Sequence, residues 1–325
     1  MKPGIAVTRG VFEEVLDFLR GHFEVDSNQA DTPCEGAALA ARLAGKDGAL
    51  ILASDRIDAA IIAACPNLKA VCNIGVGYNN IDVAACTQAG IMVTNTPEVL
   101  NDTTADMAFA LVLATGRQVA KGDAYVRQGK WQRWRFMEWL GPDVHHATLG
   151  ILGMGRIGQA VARRAKGFEM RTIYHNRNRL PAENEAACAA QYVGREELLR
   201  QSDYLVLLLP YSAENHHCIG AAELAFMKPG AHLINIARGG IVDDAALLEC
   251  LKRGGIAGAA LDVFENEPQL NPGFRELDNV VLTPHIGGAS RDTRMKMAML
   301  AAQNLVAALS GGNPPNLLNP AARRV

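Results

Sequence analysis

The sequence has no C-x-x-C pair, no apolar run long enough to span a membrane and no marked excess of charge of either sign. Each absence removes a class of protein. The seven cysteines, Cys34, Cys65, Cys72, Cys86, Cys188, Cys218 and Cys250, are scattered and odd in number. That pattern argues against a disulfide framework or a cysteine-built zinc site, and predicts buried thiols in a reducing compartment. A formal net charge of -2 at pH 7 offers no means of capturing nucleic acid or an anionic membrane. The opening MKPGIAVTRGVFEEV meets charges before any apolar stretch of signal length, so a cytoplasmic location is expected. Repeats of solenoid length and low-complexity tracts are absent as well.

What is present is 49% hydrophobic and 20% charged over 325 residues. A domain usually takes about 100–200 residues, so two soluble globular domains are expected. Short apolar runs alternate with helical patterns. GIAVT, FEV, GALIL, KAVCNI and IMVT predict the strands of a first series. TLGILG, RTIYH, AQYV, YLVLLLP, HLINIA, GAALDV and NVVLT predict a second. Strands separated by helices imply βαβ units, hence two doubly wound parallel sheets in an α/β fold. TTADMAFALVLATGRQVAKGDAYVRQGKWQRW, between the series, predicts one long amphipathic helix, and RDTRMKMAMLAAQNLVAAL predicts another near the C-terminus.

The strand TLGIL runs into Gly153-Met-Gly155-Arg-Ile-Gly158 at the start of a helical pattern. A bare G-x-G-x-x-G is weak evidence, but strand, turn and helix together give each glycine a task. The first makes the tight turn, the second lets the backbone approach a pyrophosphate, and the third lets helix and strand pack closely. An acid usually follows about 20 residues on, where it holds the ribose hydroxyls of NAD. Here that place holds HNRNR, His175 to Arg179, with Asn176 and Arg177 inside it. Glu169 comes too early, and Glu183 and Glu185 too late. Two arginines without a carboxylate favour a 2′-phosphate. The expected cofactor is therefore NADPH, with NADH possible; a solvated basic loop is the plainer alternative.

Three polar residues follow predicted strands in the second series: Arg238 in INIARGG, Glu267 in LDVFENEP and His285 in LTPHIGGAS. Ends of parallel strands on one sheet edge converge. Ketone reduction by hydride needs a proton donor, which histidine supplies near neutral pH. A carboxylate steadies the imidazolium, and an arginine fork binds a substrate carboxylate. The pairs His145-His146 and His216-His217 suggest a metal at first sight. Neighbouring histidines are expected to point apart, with no carboxylate at ligand spacing, so no metal is predicted. Met295, Met297 and Met299 are expected as core filler, and Arg323-Arg324 as a solvated end.

GVGYNNID, GMGRIG, LLLPYSAENHH, MKPGAHLINIARGGIVDDAAL, ALDVFENEP and TPHIGGAS stand in the order and spacing of one family. The chain resembles the D-2-hydroxyacid dehydrogenases nearly end to end. DVHHATLGILGMGRIG is most similar to the bacterial members that reduce glyoxylate, hydroxypyruvate and 2-ketogluconate. The resemblance implies Arg238, Glu267 and His285 as the catalytic set, with Val76 and Gly77 holding the substrate carboxylate through backbone amides. It also implies that Thr104, Arg156, Ile157, Pro210, Ala237, Asp262 and Gly287 line the cofactor. A flavodoxin-like substrate lobe (1–100 and 288–325), a Rossmann nucleotide domain (101–287) and a cleft between them are implied. So is a homodimer whose arm carries Trp131, Trp134 and Trp139, with Trp139 either reaching the partner's cleft or packing in the interface. Asn79 stands where many members have Asp. Two alternatives stay open: oxidation of a D-2-hydroxy acid with NAD, and a nucleotide-sensing interaction protein of the kind that shares this fold.

Overall fold

In the computed structural model, which describes residues 2–323, contacts divide the chain into two units. One is Met1–Leu100 with Ala289–Val325, the other Asn101–Gly288. Arg324 lies outside the described residues, while Arg323 is exposed.

The first unit is a parallel sheet of β1 (Gly4–Val7), β2 (Glu24–Ser27), β3 (Gly48–Ile51), β4 (Ala70–Asn73) and β5 (Met92–Thr94). Their order, β2-β1-β3-β4-β5, is that of flavodoxin-like sheets. β3 and β4 bury every residue, as strands covered on both faces must. Helices α1 (Glu13–His22), α2 (Gly36–Leu43), α3 (Ala59–Ala64) and α4 (Val83–Ala89) make the crossovers. Asp58 caps α3 and Asp82 caps α4, each carboxylate accepting first-turn amide hydrogens.

The C-terminal helix Arg291–Leu309 packs on this sheet because Gly48 leaves it room. A Cβ at Gly48 would lie 2.8 Å from Leu305 Cδ1 and 2.9 Å from Leu309 Cδ1. Beyond the helix, buried Asn319 accepts from the Val93 amide at 2.8 Å and donates to the Ile91 carbonyl at 2.9 Å. Both ends of the chain thus build one core, in which Leu16 and Leu50 share a cluster with Ala301 and Leu305. Met295 and Met299 pack against that cluster, and Met297 is buried.

The second unit holds β6 (Thr148–Leu152), β7 (Arg171–His175), β8 (Ala190–Tyr192), β9 (Tyr204–Leu207), β10 (His232–Asn235), β11 (Gly258–Leu261) and β12 (Val280–Leu282). The order β12-β11-β10-β9-β6-β7-β8 is the Rossmann arrangement, reversing direction between β6 and β9. Ligands in such sheets bind outside the strand ends at that reversal. Helices α5 (Asn101–Gly116), α6 (Val119–Arg127), α7 (Arg156–Ala165), α8 (Ala182–Cys188), α9 (Arg195–Gln201), α10 (Ala221–Phe226) and α11 (Asp244–Lys252) complete it.

Two expectations are corrected. The single long helix is two helices, broken where Gln118 takes a left-handed φ of 53°. Close packing requires glycine at the last residue of α5, where a Cβ on Gly116 would stand 2.3 Å from the hydroxyl oxygen of Tyr204. The buried residues of α5, Thr104, Ala105, Ala108, Phe109, Leu111, Val112, Thr115 and Gly116, lie on one face, with Asp102, Asp106 and Ala110 exposed on the other. The cysteines are unpaired, but Cys34 and Cys218 are partly exposed and only the other five are buried. No helix among the described residues is long and apolar enough to cross a membrane.

Candidate active site

The glycine loop joins β6 to α7, and the sterics of its three glycines differ. Gly153 has φ +104°, and a Cβ there would lie 2.7 Å from the Leu208 carbonyl carbon, so no larger residue fits that turn. A Cβ on Gly158 would lie 2.7 Å from the Gly153 carbonyl oxygen, whereas one on Gly155 would meet nothing within 4 Å. The outer glycines close the packing, and the middle one leaves backbone open to a ligand. Arg156 and Ile157 begin α7, whose first-turn amides have no intrahelical acceptors and favour an anion.

HNRNR follows β7. Asn176 bridges back to the glycine loop, accepting from the Met154 amide at 2.6 Å and donating to the Met154 carbonyl at 3.3 Å. His175 places Nδ1 2.9 Å from the Val193 carbonyl oxygen. Arg179 donates twice to Glu185, from Nε and Nη2, each at 2.8 Å. Glu185 also accepts from the Tyr174 hydroxyl at 2.7 Å. Arg179 first, then Tyr174, hold its carboxyl at about 2, well below the usual range. Arg177 is exposed and makes no hydrogen bond or ion pair with another described residue. The two arginines therefore differ: Arg179 is hydrogen-bonded to an acid, while Arg177 acts on one, Glu214, through charge alone. Glu185, set aside in the sequence as too far along the chain, reaches Arg179 because α8 folds back beneath the loop.

The strand ends β10, β11 and β12 carry the polar set. His285 Nδ1 lies 2.7 Å from Glu267 Oε2, and the other oxygen, Oε1, accepts the Phe264 amide hydrogen at 2.8 Å. Burial pushes the Glu267 carboxyl up. The His285 contact, the Phe264 amide and Arg238 outweigh it and leave the group below its ordinary value. Burial lowers the Arg238 guanidinium, with Glu267 opposing; a guanidinium remains protonated under such a shift. Asn235 donates to the Arg238 carbonyl at 3.1 Å and accepts from the buried Ala237 amide at 3.1 Å.

His285 itself takes φ +52°, a conformation that L residues hold only when their surroundings impose it. The imposing group is Asp262, fully buried at the end of β11. It accepts from the Thr283 hydroxyl at 2.6 Å and from the amides of Ile286 and Gly287, each at 2.8 Å. Its side chain thus braces the His285 loop. Of the other residues expected at the cofactor, Thr104 is buried on α5. Pro210 is exposed after β9 and accepts from Asn215 at 2.9 Å.

In the first unit, the amides of Val76 and Gly77 donate to nothing among the described residues. Trp139, 42% exposed, packs edge-on against Tyr125 at 4.9 Å, with the Lys121 ammonium 5.9 Å from its ring centre. The histidine pairs do not behave as expected. His216 and His217 stack at 3.9 Å with planes 21° apart, and a carboxylate is at hand, since His217 Nε2 pairs with Glu265. His146 pairs with Glu169 at 3.3 Å. His216, His217 and Glu265 form a group able in principle to meet a metal.

The family model "D-isomer specific 2-hydroxyacid dehydrogenase, NAD binding domain" matches residues 109–287. The chain belongs to this family and is an NAD(P)-dependent oxidoreductase. It is 48% identical over 325 residues to a glyoxylate reductase of Pyrococcus horikoshii, covering 98% of this chain and 96% of that protein. A glyoxylate reductase of Thermococcus gammatolerans is 47% identical over 323 residues, with the same coverage. Among solved structures, an NADPH-dependent glyoxylate/hydroxypyruvate reductase of Sinorhizobium meliloti, in complex with NADP and malonate, superposes with a TM-score of 0.86. That protein is 33% identical, and all of both chains is covered.

The brace gives a direct expectation. Asp262→Asn keeps the shape but replaces one accepting oxygen with a donor, so at least one of three bonds is lost. Stability should fall by about 1–3 kcal/mol, read by urea denaturation; unchanged stability would show that the loop holds its form without the carboxylate.

Proposed function

We propose that the protein reduces small 2-keto acids, such as glyoxylate, hydroxypyruvate and 2-ketogluconate, to D-2-hydroxy acids with NADPH. The observation that carries this reading is the His285–Glu267 pair at 2.7 Å beside Arg238, in a Rossmann unit whose glycine loop leaves backbone open at Gly155. The names of the relatives, glyoxylate reductases and an NADPH-dependent glyoxylate/hydroxypyruvate reductase, support it.

The bound nicotinamide supplies the hydride. The chain's own groups do the rest. His285 is bonded to Glu267 through Nδ1, which leaves Nε2 to donate a proton to the carbonyl oxygen. Glu267 holds the ring of His285 in place through Nδ1. Arg238 pairs with the substrate carboxylate and polarises the carbonyl. In the first unit, the amides of Val76 and Gly77 offer paired donors for a substrate carboxylate, as a backbone nest does. Gly153, Gly155, Gly158 and the start of α7 hold the pyrophosphate. Arg177 takes the 2′-phosphate, and Arg179 acts through its tie to Glu185.

The arm after α6 exposes Trp134, Phe136 and Met137 to about three quarters of their surface (74%, 75% and 74%). An apolar segment of that kind is an interface feature, and a homodimer is the assembly it suits. Unpaired cysteines fit a reducing, cytoplasmic setting.

Two experiments test the reading. His285→Gln should lose at least about two orders of magnitude in kcat, and near-normal turnover would remove the histidine from the mechanism. In the same assay, Glu267→Gln should lower kcat at least about tenfold, because the His285 ring loses the carboxylate that orients it; unchanged kcat counts against the pair. Separately, Arg177→Ala should reduce kcat/KM for NADPH at least about tenfold, the scale of one charge-assisted hydrogen bond, and leave NADH nearly unchanged. Equal losses with both cofactors would mean that Arg177 does not read the phosphate.

A further inference from the structure

In the first unit, the loop Gly75-Val76-Gly77 leaves the end of β4, and the segment Asn95-Thr96 leaves the end of the neighbouring strand β5. The register Cys72 to Thr94 carries on one step, so that Asn73 and Asn95 stand side by side beneath the loop. All three loop carbonyls are held from below. The Thr96 amide donates to the Gly75 carbonyl at 2.9 Å. Asn95 Nδ2 donates to the Val76 carbonyl at 2.8 Å, and Asn73 Nδ2 to the Gly77 carbonyl at 2.8 Å. Asn73 is fully buried and Asn95 is 7% exposed.

A peptide unit is planar, so fixing a carbonyl fixes the direction of the amide hydrogen across the same bond. Holding the Gly75 carbonyl orients the Val76 amide, and holding the Val76 carbonyl orients the Gly77 amide. These are the two amides without an acceptor among the described residues. Holding the Gly77 carbonyl anchors the far end of the loop. Asn73 bears a cost for its place: its Oδ1 is buried with no partner, an arrangement native proteins seldom keep without reason. A leucine of similar shape would avoid that cost but could not donate to Gly77.

We infer that Asn73 and Asn95 are positioning residues that preset the Val76 and Gly77 amides for the substrate carboxylate, and so set the KM for the keto acid. The inference rests on the carboxylate role given to those amides above. The asparagines touch neither substrate nor cofactor; they act through the backbone they hold. Removing either donor frees one peptide plane to rotate and loosens the paired amides without altering the proton donor in the other unit.

The test is steady-state kinetics of glyoxylate reduction by Asn73→Leu, Asn95→Leu and Asn73→Asp, the last keeping the shape if leucine disturbs folding. Each should raise KM for glyoxylate at least about tenfold, the equivalent of one lost hydrogen bond to a charged group. kcat and KM for NADPH should stay within about twofold to threefold of wild type. Asn73→Asp has a second signature. A carboxylate cannot donate to the Gly77 carbonyl but a protonated carboxyl can, so its KM should recover as the pH falls. Unchanged KM for glyoxylate in all three variants would overturn the clamp while leaving the reductase reading intact. So would a parallel loss in KM for both ligands and in kcat without recovery at low pH, which marks general damage. Wild-type protein that reduces no 2-keto acid would instead remove the reductase reading, and with it the clamp's purpose.

Discussion

Three hydrogen bonds converge on the buried carboxylate of Asp262, and the proposed chemistry of the second unit depends on them. They come from Thr283, Ile286 and Gly287, which bracket His285 on both sides in sequence. Without them a histidine in left-handed conformation would relax toward the more populated regions of backbone space. With them, its ring meets Glu267, whose other oxygen is occupied by the Phe264 amide. Each polar group in this series is oriented by the one before it, from buried core to partly exposed imidazole. Such preorganisation lets a proton donor act without reorganising its surroundings. The same principle recurs at the other loops: Asn176 ties the HNRNR turn to Met154, and the two asparagines of the first unit tie a glycine-rich loop to its sheet.

Electrostatics around the cofactor loop follow a similar logic. A carboxylate at the tip of β7 would repel a 2′-phosphate, and none is there. An acid is nonetheless present at Glu185, but Arg179 and the Tyr174 hydroxyl already neutralise and solvate it. Its carboxyl, held at about 2, remains ionised throughout the physiological range, so the tie to Arg179 persists there. The cation at the tip without a partner at hydrogen-bond distance among the described residues is Arg177, whose charge also acts on Glu214. The sequence letters suggest two phosphate-binding arginines; in the structure Arg179 is paired with Glu185 and Arg177 is not.

Much of this was legible in the chain, for reasons that can be stated. Strands such as GALI and YLVL bury every residue, so they stand out as short uninterrupted apolar runs. Gly153 and Gly158 are dictated by local sterics between neighbouring elements, and Arg238, Glu267 and His285 sit where parallel strands end. What could not be read depends on tertiary contact. Residue 116 must be glycine because Tyr204, far along the chain, occupies the space a side chain would need. Glu185 reaches Arg179 through the fold of α8, not through spacing. His216 and His217 stack instead of diverging because they lie in an irregular loop, where the alternation of a strand or helix does not apply. Asn73 and Asn95 carry no motif at all; only the pairing of β4 with β5 brings them under one loop.

The most direct test of the account is kcat/KM of the unaltered protein for glyoxylate with NADPH and with NADH, measured side by side at neutral pH. The account predicts turnover with both and a preference for NADPH of at least about tenfold, the scale of one charge-assisted contact to the 2′-phosphate. No reduction of the keto acid with either cofactor would contradict it.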